Sequence, residues 1–255
     1  MSLDPSSEPV LSFENISIGF DKGDVLRDIS FSVAPQETKV LVGESGTGKT
    51  LILKLAAGLL RPDSGTVRLM GHDLGEMSEG ELLAFRRQIG FVFQEGALFD
   101  SLTVGENVAF PLRERGDMTE EQIFQVVDGL LDMVGVKPMR DLLPSDLSTG
   151  MKRSVAIARA LAARPECILY DEPTTMVDPL MAQLLGDLIK RLKGQLHLTS
   201  IVVTHDMRLA KKLADRIVFL HEAKVLFFGT YEEMEKCQEP IVQEFLQLDE
   251  LTLTV

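Results

Sequence analysis

The stretch GESGTGKT, residues 43 to 50, constrains the fold more than any other part of the chain. It fits the spacing G-x-x-x-x-G-K-[ST], which a chain of 255 residues matches by chance about one time in a hundred. The short apolar run TKVLVG (38–43) leads into it and TLILKLAAGLL (50–60) follows, so the motif lies between a predicted strand and a predicted helix. In that context it is a phosphate loop. Gly43, Gly46 and Gly48 let backbone N–H groups wrap phosphate oxygens, with Glu44, Ser45 and Thr47 as the other members of the loop. Lys49 would reach the β- and γ-phosphate oxygens, and the Thr50 hydroxyl would bind Mg²⁺.

The remaining segments alternate in the same manner. LSFENISIGF and VLRDISFSV, within 10–33, alternate apolar and polar residues around the turn DKGD and read as β-strands. SGTVRLMG (64–71) returns to strand. Ser78 with Glu81 forms a capping box that opens the helix GELLAFRRQ, and Thr119 with Gln122 opens another over EEQIFQVVDGLLDMV. Ser148 starts a further helix, which Pro165 stops. Then come the strand CILYDEP (167–173), a helix over 179–193, the strand SIVVTHD (200–206), a helix near 207–214, and the strands RIVFL and KVLFFG. This order predicts an α/β fold: a phosphate-loop, RecA-like core on a mostly parallel sheet, an antiparallel β flank, and an inserted helical subdomain over about 75–165. Residues 1–9 are expected as a flexible N-terminus, 10–235 as a single domain, and 236–255 as a C-terminal helical tail.

Composition narrows the function. Asp and Glu outnumber Lys and Arg by 39 to 26, a formal net charge of −13. A nucleic-acid binder would show a basic face, so nucleic acid is not expected as a partner, nor is docking on anionic lipid by charge alone. No stretch approaches the ~20 uncharged apolar residues of a membrane span. The opening MSLDPSSEPV lacks the basic start and apolar core of a signal peptide. Cys167 and Cys237 stand far apart and outside any CxxC pattern, so both read as buried or incidental thiols of a reducing compartment, the cytosol.

Four further places carry candidate chemistry. CILYDEP ends in Asp171, an oxygen ligand at the sheet's C-terminal edge where Mg²⁺ needs an anchor. Glu172 follows, placed to accept a proton from an attacking water or to orient that water. His205 ends SIVVTH at the same edge and can face a γ-phosphate, whereas His72, His197 and His221 read as structural. Gln94, closing IGFVFQ, could offer its amide to Mg²⁺ or water, or be a surface glutamine. Ser148, Thr149 and Gly150 present backbone N–H groups at a helix N-terminus, which is an anion site.

Taken in order, GESGTGKT, Gln94, LSTGM, ILYDEP, Asp178 and VVTHD resemble the ATP-binding cassette ATPases, over residues from about 10 to 230. The resemblance implies ATP and Mg²⁺ as cofactors, with Lys49 and Thr50 as phosphate-loop residues and Asp171 as the metal anchor. It implies Glu172 as the catalytic base, Gln94 as the sensor of metal and water, and His205 as the switch on the γ-phosphate. Phe20 falls where the family places an aromatic under adenine, although a Phe in an alternating strand can equally be core or surface. In this family the Ser-Gly-Gly cluster binds the γ-phosphate held by a second cassette. Ser148, Thr149, Gly150 and Asp178 would therefore serve ATP on a second ATPase subunit, in a homodimer or a pair with a relative. The chain departs from the family at three places. Thr149 stands where glycine is usual, TTMVDP replaces a Thr/Ser-Gly-Leu-Asp-Pro run and puts Met176 at the dimer contact, and Gln36 replaces a glycine in APQETK.

Within the family, EGALFDSLTVGENVAFPLRE (95–114), MSEGELLAFRRQIGFVFQ, LTSIVVTHDM and Met151 resemble the Mla group, which powers phospholipid movement across Gram-negative envelopes. That resemblance implies an integral membrane permease, an MCE-domain lipid-binding protein and a small STAS-domain subunit as partners. It places the ATPase peripherally on the cytoplasmic face of the bacterial inner membrane. Leu98 and Phe99, in a loop-like stretch with Leu102, are expected to form the socket for a permease helix; packing of Phe99 inside the helical subdomain is the alternative. Competing functions are an ATPase for another cargo, a soluble mechanical ATPase on ribosomes or DNA, and a weakly hydrolysing scaffold.

Overall fold

Alternating patterns build the first layer: β1 (Leu11–Phe20) and β2 (Gly23–Val33) pair antiparallel, with Phe13 opposite Phe31 and Phe20 opposite Gly23. The computed structural model describes residues 8–20 and 23–251, so Asp21 and Lys22 of the expected turn, residues 1–7 of the expected flexible N-terminus, and residues 252–255 of the expected tail lie outside it. The chain continues through β3 (Thr38–Val42), α1 (Lys49–Ala56), β4 (Ser64–Leu69), β5 (His72–Asp73), α2 (Glu79–Arg86) and β6 (Ile89–Val92). Next come α3 (Val104–Arg115), α4 (Glu120–Met133), α5 (Thr149–Ala162), β7 (Cys167–Asp171) and α6 (Pro179–Leu196). The last elements are β8 (Thr199–Val203), α7 (Met207–Leu213), β9 (Arg216–His221), β10 (Lys224–Gly229), α8 (Tyr231–Glu235) and α9 (Pro240–Leu251).

Two sheets form, one antiparallel in the order β2-β1-β4-β5 and one in the order β10-β9-β3-β8-β7-β6. In the larger sheet every pair is parallel except β9 with β10. Its central strands read as unbroken apolar runs because both faces are covered. The pleat sorts their residues by parity. Val40, Val42, Ile168, Tyr170 and Val202 enter a core with α3 to α7, whereas Leu41, Leu169, Ile201 and Val203 enter a second core with α1 and the antiparallel sheet.

The parallel set β3-β8-β7-β6 brings four strand ends to one edge. The phosphate loop leaves β3, His205 follows β8, Asp171 ends β7, and Gln94 follows β6. The crevice outside the carboxyl ends of parallel strands is where α/β sheets bind ligands.

Several expected boundaries move. α1 stops at Ala56, before the predicted end at residue 60, because the chain turns at Gly58 with φ +62°. α6 runs on past residue 193 to Leu196 and is closed by the left-handed His197. Inside the span 75–165, expected as helical, Ile89–Val92 is instead the edge strand of the larger sheet, paired parallel with β7. Its four residues are too few to show a period of two. α3 goes unforeseen, although Thr103 and Glu106 form the same capping box as the two that were read. The described part of the expected tail is helical over Pro240–Leu251, and no described helix is long and apolar enough to cross a membrane.

Candidate active site

The phosphate loop is shaped by its glycines. Gly43 has φ +148° and Gly48 has φ +90°; a Cβ on Gly43 would lie 2.4 Å from the Leu220 carbonyl oxygen, and one on Gly48 would lie 2.7 Å from Leu26 Cδ2. Both positions are closed to other residues by sterics as well as by conformation. Gly48 is also the N-cap of α1 and offers no side chain to it, whereas α2 to α8 are each capped by a Ser, Thr or Asp side chain. The amides at the start of α1 are thus left for an anion, with the helix dipole favouring it. Lys49 folds back over the loop, its Nζ donating to the carbonyls of Gly43 (2.8 Å) and Glu44 (2.7 Å). Burial pushes its amine below the usual lysine range, against the pull of Glu172, Asp171 and Glu44. A buried ammonium beside these amides suits a multiply charged phosphate.

The loop is joined to the strand-end acids. Thr50 Oγ1 donates to Asp171 Oδ1 at 2.9 Å, so a hydroxyl and a carboxylate stand side by side. Asp171 is 6% exposed, and burial holds its carboxyl above the ordinary range despite the Thr50 hydrogen bond. Such hard oxygens fit Mg²⁺, which is commonly held by one or two protein ligands plus phosphates and water. Among the described residues no group of three or more His, Cys, Asp or Glu could hold a metal ion.

Glu172 is held in place from two sides. Its Oε2 accepts from Thr175 Oγ1 (3.1 Å) and lies 2.9 Å from His205 Nδ1. Its backbone is left-handed, φ +46°, a conformation that costs a non-glycine residue about 1 kcal/mol or more and is found preferentially at functional sites. Glu172, Thr175, His205 and Gln94 line one cleft of about 420 Å³ with Ser45, Gly46, Gly48, Lys49 and Thr50 of the loop. The histidine expected to face a phosphate therefore also engages the acid expected to be the base.

The other expected residues lie elsewhere. Phe20, 59% exposed, is at the end of the β1–β2 hairpin, whose Val25 and Leu26 approach Gly48. Ser148 caps α5, its Oγ accepting from Met151 N at 3.3 Å, and Asp178 caps α6, its Oδ1 accepting from Met181 N at 3.0 Å. Neither Asp178 nor any of Ser148, Thr149 and Gly150 lines the cleft of their own chain. Two of the three departures from the family sit where the backbone is left-handed, Gln36 at φ +62° and Met176 at φ +63°, whereas Thr149 begins a helix and needs no glycine. Met176 is 81% exposed.

A second groove, of about 510 Å³, opens where the β6 end meets the helices and is lined by Leu83, Phe91, Phe93, Phe99 and Phe110 among others. Phe99 is exposed there, its ring 4.7 Å from that of Phe110. Leu98, expected beside it, packs against the core instead. Sequence reasoning missed the residues that hold this region. Asn107, fully buried, accepts from Phe99 N and donates to the carbonyls of Phe99, Leu102 and Thr103. Arg159 donates to the carbonyls of Gly96 and Ala97, and Arg153 to those of Phe93 and Thr175. Asn107 follows a capping box directly, the one local signal that could have marked it.

Comparison with known proteins agrees with this geometry. The family model described as "ABC transporter" matches residues 26–175. The chain is 39% identical over 233 residues to the intermembrane phospholipid transport system ATP-binding protein MlaF of Haemophilus influenzae, covering 91% of this chain and 88% of that protein. It is 35% identical over 236 residues to the probable ribonucleotide transport ATP-binding protein mkl of Mycobacterium tuberculosis, covering 92% of this chain and 66% of that protein. Its fold matches, with TM-score 0.79 and 31% identity, the dimeric structure of a post-hydrolysis state of an ATP-binding cassette bound to ADP and Pi, covering 86% of this chain and 98% of that one.

Proposed function

The chain belongs to the ABC transporter ATPase family and is the ATP-binding, ATP-hydrolysing subunit of a transporter; from that premise we propose that two copies enclose two ATP molecules, each held between the phosphate loop of one copy and the Ser148–Gly150 cluster of the other. The observation that carries this reading is a division of the site. The loop, Asp171, Glu172, Gln94 and His205 gather at one sheet edge, while Ser148, Thr149, Gly150 and Asp178 stand outside that cleft at the starts of α5 and α6. Half of an ATP site is thus presented in each of two places.

In this arrangement Lys49 and the loop amides bind the phosphates, and Thr50, Asp171 and Gln94 would hold Mg²⁺. The ion, when bound, would neutralise charge on the β- and γ-phosphates. Glu172 Oε2 takes the proton from the attacking water, or orients that water, while His205 and Thr175 fix the carboxylate's position. The nitrogen of His205 not directed at Glu172 is the one that reaches toward the γ-phosphate. Phe20, exposed at the hairpin end near Gly48, stacks on adenine.

In this reading the groove bearing Phe99 receives a cytoplasmic helix of the permease, and the subunit sits on the cytoplasmic face of the inner membrane; the exposed Phe99 ring supports the docking site. The phospholipid transport system of the MlaF relative supports phospholipid as the cargo, and the mkl relative marks a different cargo as the alternative; an MCE-domain protein and a STAS-domain subunit are proposed as further partners on the resemblance to the Mla group alone. Replacing Glu172 with Gln tests the catalytic assignment. ATP binding should persist, turnover should fall by roughly 10²–10⁴-fold, and an ATP-bound dimer should accumulate on size-exclusion chromatography. Phosphate release within a few-fold of the unmodified protein would remove Glu172 from the base role.

A further inference from the structure

We propose that Arg153 is a positioning residue that couples the signature cluster at the start of α5 to both walls of the catalytic cleft in the same chain. It lies one helical turn beyond Gly150 and is 3% exposed. Its Nη1 donates to the carbonyl of Phe93 at 3.2 Å, and its Nη2 donates to the carbonyl of Thr175 at 3.4 Å. Phe93 immediately precedes Gln94. Thr175, through its hydroxyl, holds the Glu172 carboxylate. One planar guanidinium therefore spans the β6 end, which carries Gln94, and the turn after β7, which carries Glu172. No described element other than α5 touches both with a side-chain hydrogen bond.

The chemistry of the side chain fits coupling better than stability. Arg153 Nε is buried without a hydrogen-bond partner, and a buried unpaired N–H is a standing penalty that an apolar side chain of similar length would avoid. Lysine could not replace it, because a single ammonium lacks the fork that reaches two carbonyls on separate segments. The neighbouring Arg159 holds only Gly96 and Ala97 and does not reach the Glu172 turn. A shift of α5, produced when its N-terminus meets the partner's nucleotide, would thus move Gln94 and Glu172 together. The inference rests on the two-copy arrangement proposed above. In it, Arg153 makes each cleft responsive to ATP bound across the interface.

The test compares the full-length protein with Arg153→Lys and Arg153→Met. Thermal melting and ADP binding report on folding and on the phosphate loop, and the ATP dependence of hydrolysis gives kcat, KM and the Hill coefficient. The coupling role requires melting and ADP affinity near those of the unmodified protein, kcat lowered roughly tenfold to a hundredfold, and a Hill coefficient that falls from above 1 to 1. Variants that hydrolyse ATP as fast and as cooperatively as the unmodified protein overturn it, as do variants that lose ADP binding together with activity. Hydrogen exchange on the unmodified protein gives a reading independent of any variant. Segments 93–97 and 172–176 should gain protection at the same ATP concentration, and gains at clearly different concentrations refute the coupling. An unmodified protein with neither cooperativity nor an ATP-dependent dimer refutes the two-copy arrangement itself; a cooperative one matched by an equally cooperative Arg153→Lys refutes only the role of Arg153.

Discussion

Asn107→Ala should destabilise the protein markedly while leaving nucleotide binding alone. The side chain is fully buried in α3. Its Oδ1 accepts from Phe99 N at 2.8 Å, and its Nδ2 lies 3.0 Å from each of the carbonyls of Phe99, Leu102 and Thr103. The amide has two protons for three carbonyls, so it makes the equivalent of about three full hydrogen bonds, one accepted and two donated. At ~1 kcal/mol each, the loss is about 3 kcal/mol, with backbone groups left unpaired in the core. For a chain of this size that lowers Tm by roughly 6–12 °C, short of unfolding a domain with 5–15 kcal/mol of stability. Asn107→Asp should be no milder, because a carboxylate keeps the bond from Phe99 N but faces three carbonyls without a proton to offer. Thermal melting of the nucleotide-free protein, paired with ADP titration, measures both effects. A Tm within ~2 °C of the unmodified protein, or a parallel loss of ADP affinity, would show that Asn107 does not hold this loop as described.

Two further substitutions probe the metal anchor and the groove. In Asp171→Asn the neutral side chain escapes the burial that holds the carboxyl above its ordinary range. A raised folded pKa favours the protonated form, so this residue lowers stability as pH rises through its titration. The nucleotide-free variant should therefore melt higher than the unmodified protein at pH 7–8, with the gain vanishing toward pH 4, while Mg²⁺-dependent hydrolysis is lost. A Tm loss at neutral pH, or a gain equal at both pH values, contradicts the burial argument. Phe99→Asp should fold and bind ADP normally, since the ring is 43% exposed, yet weaken co-purification with the permease roughly tenfold or more. Retained assembly would exclude the groove as the docking site.

What was legible in the sequence was local. The phosphate loop declares itself because its glycines are demanded by backbone geometry at Gly43 and Gly48, and the strand and helix on either side are each a single pattern. The Ser78–Glu81 and Thr119–Gln122 boxes work the same way, since cap and partner lie three residues apart. Asp171, Glu172, His205 and Gln94 could be nominated individually, but their convergence follows from the order β3-β8-β7-β6, a non-local property. β6 escaped notice because four residues inside the short apolar run IGFVF carry no period of two. Asn107, Arg153 and Arg159 escaped because a polar residue bonded to distant carbonyls looks, in sequence, like one facing water. The pairing of His205 with Glu172 joins residues 33 positions apart and has no local signature.

The central claim is that each ATP site is completed by a second copy, and subunit mixing tests it most directly. Lys49→Ala removes the phosphate-loop lysine and Ser148→Arg blocks the signature cluster, so each variant alone should hydrolyse almost no ATP. A mixed dimer of the two has one intact site, built from the loop of the Ser148→Arg copy and the cluster of the Lys49→Ala copy. With random pairing, half of the dimers are mixed and each has one working site of two, so equimolar mixing should restore hydrolysis well above either component, to about a quarter of the unmodified rate for independent sites and to less in proportion to the coupling carried by Arg153. A mixture as inactive as its components would contradict the shared site, as would a Ser148→Arg protein that hydrolyses ATP normally by itself.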